Sequence, residues 1–373
     1  MKVLHVYSGN LYGGVESTLV VLARERARCA EMEPHFALCF DGRLASELRA
    51  CGTPVHLLGD VRVRHPRSIW RARRALRALL ADLKPDIVVC HSAWPYALFA
   101  GTARSAGLPV AFWLHDAVRG KHWTERWARL RTPDVVIYNS EFTGRAAASV
   151  FARARRELVH CPVAPPSGDA DRSSIRRELG AAPETVVLVQ VGRMERLKGH
   201  ALLLHALGFL GDVPGWECWI VGGAQRALER LYESQLRTLA TSRGIRKRVR
   251  FLGERNDVPV ILRNADVLCQ PNTQPEAFGV AIIEALYAGL PVVATDMGGP
   301  SEILAGGAGG VLVPKGNPRL YADALRTLIA DASARRALGA LGPERARALC
   351  DPTDRLAQLH RVLADVAQRG GAA

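Results

Sequence analysis

The chain has 373 residues, enough for two domains that each bury a core. Apolar residues make up 48% and charged residues 23%, which excludes a disordered or fibrous chain and leaves an ordinary globular one. The formal net charge is +14, with 24 Lys/Arg against 14 Asp/Glu in residues 1–165 and 26 against 22 in the rest, so the first half either meets something acidic or is well solvated.

Short apolar runs alternate with helical spacing from the start. No run approaches about 18 apolar residues, so no membrane span is expected. Met1-Lys2-Val-Leu-His-Val-Tyr7 lacks the charged lead and long apolar run of a signal peptide, and none is expected. Strands are expected at Val3–Tyr7, His35–Phe40, Val55–Leu58, Ile87–Cys90, Val110–Leu114, Val135–Tyr138 and Leu158–Cys161. Helical spacing lies between them, as in Val15–Cys29 and Ser68–Leu83. Because the strands are continuously apolar, they predict a parallel sheet covered on both faces, a doubly wound α/β unit. Residues 162–174 are rich in turn formers and read as a linker. The alternation then restarts at Thr185–Val191, Trp216–Val221, Val249–Leu252, Val267–Gln270, Pro291–Thr295 and Gly310–Val313, which makes a second Rossmann-like unit. Helices close the chain at Arg319–Ala330, Ala334–Leu341, Pro343–Leu349 and Thr353–Ala367. The eight cysteines (29, 39, 51, 90, 161, 218, 269 and 350) show no Cys-x-x-Cys pair or zinc spacing, the pattern of buried, reduced thiols in a cytosolic chain.

The residues with chemistry sit at strand ends. Gly13-Gly14-Val15-Glu16 follows the first strand and opens a helix, a turn that lets a ligand approach the backbone. The full Gly-x-Gly-x-x-Gly pattern is absent, which disfavours a nicotinamide enzyme. His91 and His115 end the fourth and fifth strands, positions where a histidine often serves only as a structural hydrogen-bonding group. Ser140 reads as a helix cap. Arg193 and Lys198, in Val191-Gly-Arg-Met-Glu-Arg-Leu-Lys-Gly199, lie at the carboxyl edge of the second sheet, where two cations can hold a diphosphate. Gly222-Gly223 and Gly253 supply further turns. The longest ordered run is Glu276-Ala-Phe278-Gly279-Val-Ala-Ile-Ile-Glu284, continued by Ala285-Leu-Tyr-Ala-Gly-Leu-Pro-Val-Val-Ala-Thr-Asp-Met-Gly-Gly299. A helix opening at Phe278-Gly279 offers unpaired N–H groups and the positive end of a dipole to an anion. On a helix, Glu276 and Glu284 would stand roughly 12 Å apart. That is wide for a hydrolase pair and suits the two ends of an extended ligand.

Taken whole, the run from Glu276 to Gly299 resembles the family-4 retaining glycosyltransferases, the group that includes sucrose synthase and many bacterial glycan-building enzymes; with the strand and helix alternation, the likeness covers most of the chain. It implies the GT-B fold, two Rossmann-like domains with the active site in the cleft between them. Residues 1–164 would be the acceptor domain, 165–350 the linker and nucleotide-sugar domain, and 351–373 a helix returning to the first domain. Arg193 and Lys198 would hold the diphosphate, Glu276 the transferred sugar and Glu284 the ribose. Phe278, Gly279, Gly222, Gly13 and Gly14 would border the donor, His115 would contact its sugar, and His91 would line the acceptor pocket. The implied reaction moves a sugar from a UDP- or GDP-linked donor to a hydroxyl with retention at the anomeric carbon. It uses a front-face mechanism, no metal and no cofactor beyond the nucleotide sugar. Asp169 and Asp171 are spaced like the metal-holding pair of another glycosyltransferase fold, but no strand leads into them and no metal is assigned.

An epimerase or a phosphorylase could use the same fold. A phosphorylase needs a lysine for pyridoxal phosphate, and Lys2, Lys84, Lys121, Lys247 and Lys315 sit in no evident motif. The basic charge also raises nucleic-acid binding, but the arginines are not interleaved with exposed aromatics, so no nucleic-acid partner is assigned. The segment Arg62–Arg77 reads from Ser68 as an amphipathic helix carrying Arg67, Arg71, Arg74 and Arg77 opposite Ile69, Ala72, Leu76, Leu79, Leu80 and Leu83. It is either a solvated basic face or, with Trp70 as anchor, a dock for an anionic membrane. Docking would serve a glycan or lipid-linked acceptor and place a cytoplasmic enzyme at the inner membrane face.

Overall fold

The computed structural model describes residues 1–166 and 174–370. Residues 167–173, with Asp169, Asp171 and most of the expected linker, lie outside the described residues. The chain divides into two compact units: Met1–Val163 with Cys350–Ala373, and Ala164–Leu349.

The first unit holds β1 (Lys2–Tyr7), β2 (Glu33–Leu38), β3 (Val55–Leu57), β4 (Ile87–His91), β5 (Val110–Leu114), β6 (Val135–Tyr138) and β7 (Arg156–Leu158). They form one sheet in the order β3-β2-β1-β4-β5-β6-β7, and every pairing is parallel. The second unit holds β8 (Val186–Val191), β9 (Trp216–Val221), β10 (Val249–Gly253), β11 (Val267–Gln270), β12 (Val292–Thr295) and β13 (Gly310–Val313), in the order β10-β9-β8-β11-β12-β13, again all parallel. Each is a doubly wound sheet. The strand order reverses between β1 and β4 in one and between β8 and β11 in the other.

The central strands are buried on both faces, as their unbroken apolar runs require: β4 and β5 expose no residue to solvent. One face of the first sheet packs Leu4, Val88 and Phe112 under the helices Pro66–Leu83 and Ala93–Arg104, through Leu76, Leu80 and Phe99. The other face packs Val3, Val89 and Trp113 with Leu19, Leu22, Leu44 and Leu48. The final helix, Pro352–Gly370, completes that second face with Leu356, Leu359, Val362, Leu363 and Val366. It belongs to the first unit although it follows the second in sequence, and the Val163 N–H donates to the Cys350 carbonyl at 3.0 Å where the chain leaves and re-enters.

Two strands are displaced from their expected positions. β2 begins at Glu33, not His35, because its Glu33 N–H is taken by the Met1 carbonyl at 2.8 Å and the ladder with β1 runs on from there. β7 is Arg156–Leu158, not Leu158–Cys161: it is an edge strand, partly exposed, where register with Val136–Tyr138 decides more than apolar content. The stretch Val15–Cys29 is a helix only over Gly14–Arg24, followed by a short tight turn at Arg26–Arg28. Ser140 caps its helix, accepting from the Thr143 N–H at 3.1 Å.

Leu363 is fully buried between the final helix and the first sheet. Leu363→Ala should destabilise the first unit by about 2–5 kcal/mol, read by chemical denaturation, and deletion from residue 352 onward should prevent the first unit from folding cooperatively. A melting curve unchanged by the deletion would contradict the place given to this helix.

Candidate active site

In doubly wound sheets ligands bind outside the carboxyl ends of the strands at the point where the order reverses. In the second unit that point joins the ends of β8 and β11. From β8 the chain runs through Gly192, Arg193 and a short helical turn, Arg196–Lys198, to the helix His200–Gly208. From β11 it runs through Pro271 and Asn272 to Glu276 and then into the helix Val280–Tyr287. Gly199 adopts φ +73, and a Cβ there would overlap the Pro271 carbonyl, so the two loops can touch only through a glycine.

Side chains lock these loops together. Lys198 Nζ donates to Glu276 Oε2 at 2.5 Å, and Asn272 Nδ2 donates to the same oxygen at 2.8 Å. Burial works to raise the Glu276 carboxyl, but the Lys198 charge and hydrogen bond, with Asn272 and the Ala277 backbone, outweigh it and hold the carboxyl below its usual value. Gln190, buried in β8, donates through Nε2 to the Lys198 carbonyl at 2.7 Å and so anchors the cation's backbone. Arg193 pairs with Glu195 at 2.8 Å. Neither of the two expected cations is therefore a bare charge; each already holds a carboxylate. Several buried polar atoms here still have no hydrogen-bond partner among the described residues: Arg193 Nη1, Asn272 Oδ1 and Gln190 Oε1. Buried polar groups are rarely left so unless something else completes them.

Glu276 is not on the helix. It precedes it, joined to Gly298 by an isolated parallel bridge, so the helical spacing to Glu284 does not apply. Gly279 is the cap residue, at φ 114, and Phe278 is buried behind it. Glu284 lies within the helix, half-buried, and among the described residues no side chain pairs with it. Burial alone raises its carboxyl to about 7. Gly222, expected to border a ligand, adopts φ +130 and packs on the Gly192 carbonyl, which a Cβ would overlap.

In the first unit the reversal joins β1 and β4, and three imidazoles line up there. His5 of β1 places Nδ1 2.9 Å from His91 Nε2 at the end of β4, and His91 Nδ1 lies 2.9 Å from Nε2 of His115, which follows β5. Trp113 stacks on His115, with ring centroids 5.4 Å apart. Burial lowers all three histidines, His5 and His115 to about 3 and His91 well below the usual range, so they are neutral. Beside them Tyr7 donates to Glu16 Oε1 at 2.8 Å, which ties the Gly13-Gly14 turn to β1. Burial, then the Glu16 charge, pushes the Tyr7 hydroxyl up. His5, Tyr7, Asn272 and Gln190 escape a motif search, but all four lie in, or just beyond, strands that meet at the two reversal points. On the helix Pro66–Leu83, Ala72, Leu76 and Leu80 are buried, while Arg71, Arg74 and Arg77 are exposed and Trp70 is 62% exposed.

Two doubly wound parallel sheets carrying these loops define the class: this is the GT-B fold of glycosyltransferases. The chain belongs to the glycosyl transferases group 1, matched over residues 171–345, together with Glycosyltransferase Family 4, matched over residues 12–165. It is similar to the D-inositol 3-phosphate glycosyltransferase of Corynebacterium jeikeium, 38% identical over 49% of this chain and 47% of that protein, so the chain spans about half the length of that curated relative. It is also similar to the phosphatidyl-myo-inositol mannosyltransferase of Mycobacterium leprae, 29% identical over 98% of this chain and 96% of that one. Among solved structures, Anabaena HepE in complex with UDP and glucose shares the fold with a TM-score of 0.85 and 24% identity, covering 98% of this chain and 100% of its own.

The Glu284 carboxyl makes a direct test of the environment. An acid whose folded value is raised from 4.5 to about 7 binds a proton in the folded state that the unfolded state has released, so stability falls as pH rises through that window and is level above it. Glu284→Gln should flatten that fall and leave the chain more stable than wild type by roughly 1–3 kcal/mol at about pH 8. Parallel stability curves for the two proteins from about pH 5 to 8 would show that the carboxyl is not desolvated.

Proposed function

We propose that the protein transfers a sugar from a nucleoside-diphosphate sugar to an acceptor hydroxyl with retention of anomeric configuration and without a metal ion. The observation that carries this reading is the grouping at the β8 and β11 ends. The loops after β8 and β11 carry an ion pair and a guanidinium with an N–H that has no partner among the described residues, and the helix that follows Glu276 carries an unpaired half-buried carboxylate. An ester or peptide hydrolase would place a nucleophile and base there, whereas these groups suit a ligand that is anionic in the middle and hydroxylated at both ends.

In this scheme the diphosphate lies at the start of the helix Val280–Tyr287, near Gly279, where unpaired N–H groups and the helix dipole meet it. Arg193 and Lys198 stabilise the charge that grows on the leaving diphosphate, which favours the transition state over the bound substrate. The Glu276 ion pair keeps Lys198 fixed before the ligand arrives, so little reorganisation accompanies reaction. Glu276 also accepts from hydroxyls of the transferred sugar and Glu284 from the ribose. Neither carboxylate is assigned as a nucleophile, and the departing phosphate helps take the proton of the attacking hydroxyl. His115 contacts the donor sugar, and Gly13 and Gly14 border the donor and acceptor. The complex of HepE with UDP and glucose supports a UDP-linked donor, and the phosphatidyl-myo-inositol in the name of the Mycobacterium leprae relative supports a lipid-linked acceptor. No cofactor is required beyond the donor itself.

Calorimetry with a panel of UDP- and GDP-sugars tests the assignment. Glu284→Ala should weaken donor binding by about 10–100-fold, the loss of hydrogen bonds to a charged group, while Glu276→Ala should act mainly on turnover. Unchanged donor affinity in the first variant, or wild-type turnover in the second, would remove the roles given to these carboxylates.

The exposed face formed by Arg71, Arg74, Arg77 and Trp70 is read as a dock on anionic lipid, each basic residue adding about 1 kcal/mol at the surface. Among the described residues no helix is long and apolar enough to cross a membrane. Co-sedimentation should show binding to anionic but not neutral vesicles, reversed by salt and lost when the three arginines become Gln. Equal binding to both vesicle types would leave a soluble acceptor.

A further inference from the structure

The row of three imidazoles does more than fill the first sheet. One end is closed: His5 is fully buried, stacks on Phe36 with centroids 5.3 Å apart, and its Nε2 has no hydrogen-bond partner among the described residues. The other end, His115, stands at the carboxyl edge of β5, where the proposed function puts the donor sugar. We propose that His5 is a positioning residue that sets the tautomer of His115 through His91, so that His115 presents an Nδ1–H donor to its ligand. The proposal rests on the proposed function only for the use made of that donor.

A neutral imidazole carries one proton and leaves one lone pair. Between His5 Nδ1 and His91 Nε2 there is one hydrogen, and between His91 Nδ1 and His115 Nε2 there is one more. Only two arrangements satisfy both contacts with neutral rings. In the first, every ring is protonated at Nδ1 and each donates toward His115. In the second, every ring is protonated at Nε2, and His5 then buries an N–H with no acceptor. Buried orphan N–H groups are rarer than buried unpaired acceptors, so the closed end selects the first arrangement. The groups around the row do not reverse this: His35, beside His5, makes its contact with Glu33 at 2.9 Å, and the Tyr7 hydroxyl is spent on Glu16.

His115 then offers an N–H and no lone pair. It can donate to a sugar hydroxyl or a phosphate oxygen, and it cannot accept a proton from the attacking hydroxyl. The chain thereby excludes His115 as general base, in keeping with a reaction in which the leaving phosphate has that part.

Histidine-selective ¹⁵N labelling and long-range proton–nitrogen correlation read the tautomers without any substrate, so the outcome is independent of whether the protein transfers sugar. Resonances are assigned by the peak lost in each of His91→Gln and His115→Gln. In wild type between about pH 6 and 8, His5, His91 and His115 should each show a protonated Nδ1 and a bare Nε2. His5→Asp puts an acceptor in place of the Nδ1–H donor, and the proton of His91 should appear on Nε2, with the His115 pattern changing in response. A protonated Nε2 on His115 in wild type, or a bare His91 Nε2 in His5→Asp, would overturn the proposal. The wild-type spectrum decides the direction of the row even if the variant does not fold.

Discussion

A parallel strand cannot reach its neighbour by a tight turn, so each strand of both sheets must hand the chain to a crossover and receive it back at the same end. All carboxyl ends therefore gather on one edge of each sheet, and the loops that leave them are thrown together where the order reverses. The loops of β8 and β11 meet at such a place, close enough that Gly199 touches the Pro271 carbonyl, and β1 and β4 bring His5 and His91 within hydrogen-bonding distance. The chemistry of this protein is a consequence of that edge.

The two edges manage their polar groups in opposite ways. In the second unit charges are paired and then left partly unsatisfied: Lys198 and Glu276 hold each other, while Arg193 Nη1 and Asn272 Oδ1 lack partners among the described residues. Desolvated charge is costly unless matched, and pairing keeps the site stable without filling it. In the first unit the groups are neutral instead. Burial discharges the three histidines, and the cost of hiding them is offset by hydrogen bonds and by stacking with Trp113.

Inner strands with a buried, continuous apolar run were legible to the residue at Val110–Leu114, Val135–Tyr138, Trp216–Val221 and Val267–Gln270. The edge strand Arg156–Leu158 was not, because it is chosen by its ladder with β6 and carries two charges that no apolar pattern would admit. At the site, the residues recognisable from motif spacing, Lys198, Glu276 and Glu284, are those whose neighbours in sequence are also constrained. Asn272, Gln190 and His5 were illegible because each acts on a group that only the folded sheet brings near; the 86-residue separation of His5 from His91 has no local signature. The need for glycine at Gly222 was illegible for the same reason, since the Gly192 backbone that a Cβ would meet is brought near only by the folded sheet.

The final helix gives the protein an unusual birth order. A ribosome delivers residues from the amino end, and domains generally form as they emerge, the first before the second. Here the first unit still lacks one covering for its sheet when residue 349 has been made, whereas the second already has its whole sequence. Val3, Val89 and Trp113 must wait for Leu356 to Val366 before that face is closed. During translation the nascent chain therefore carries an open apolar surface across the entire synthesis of the later unit, the stage at which chaperone capture would matter most.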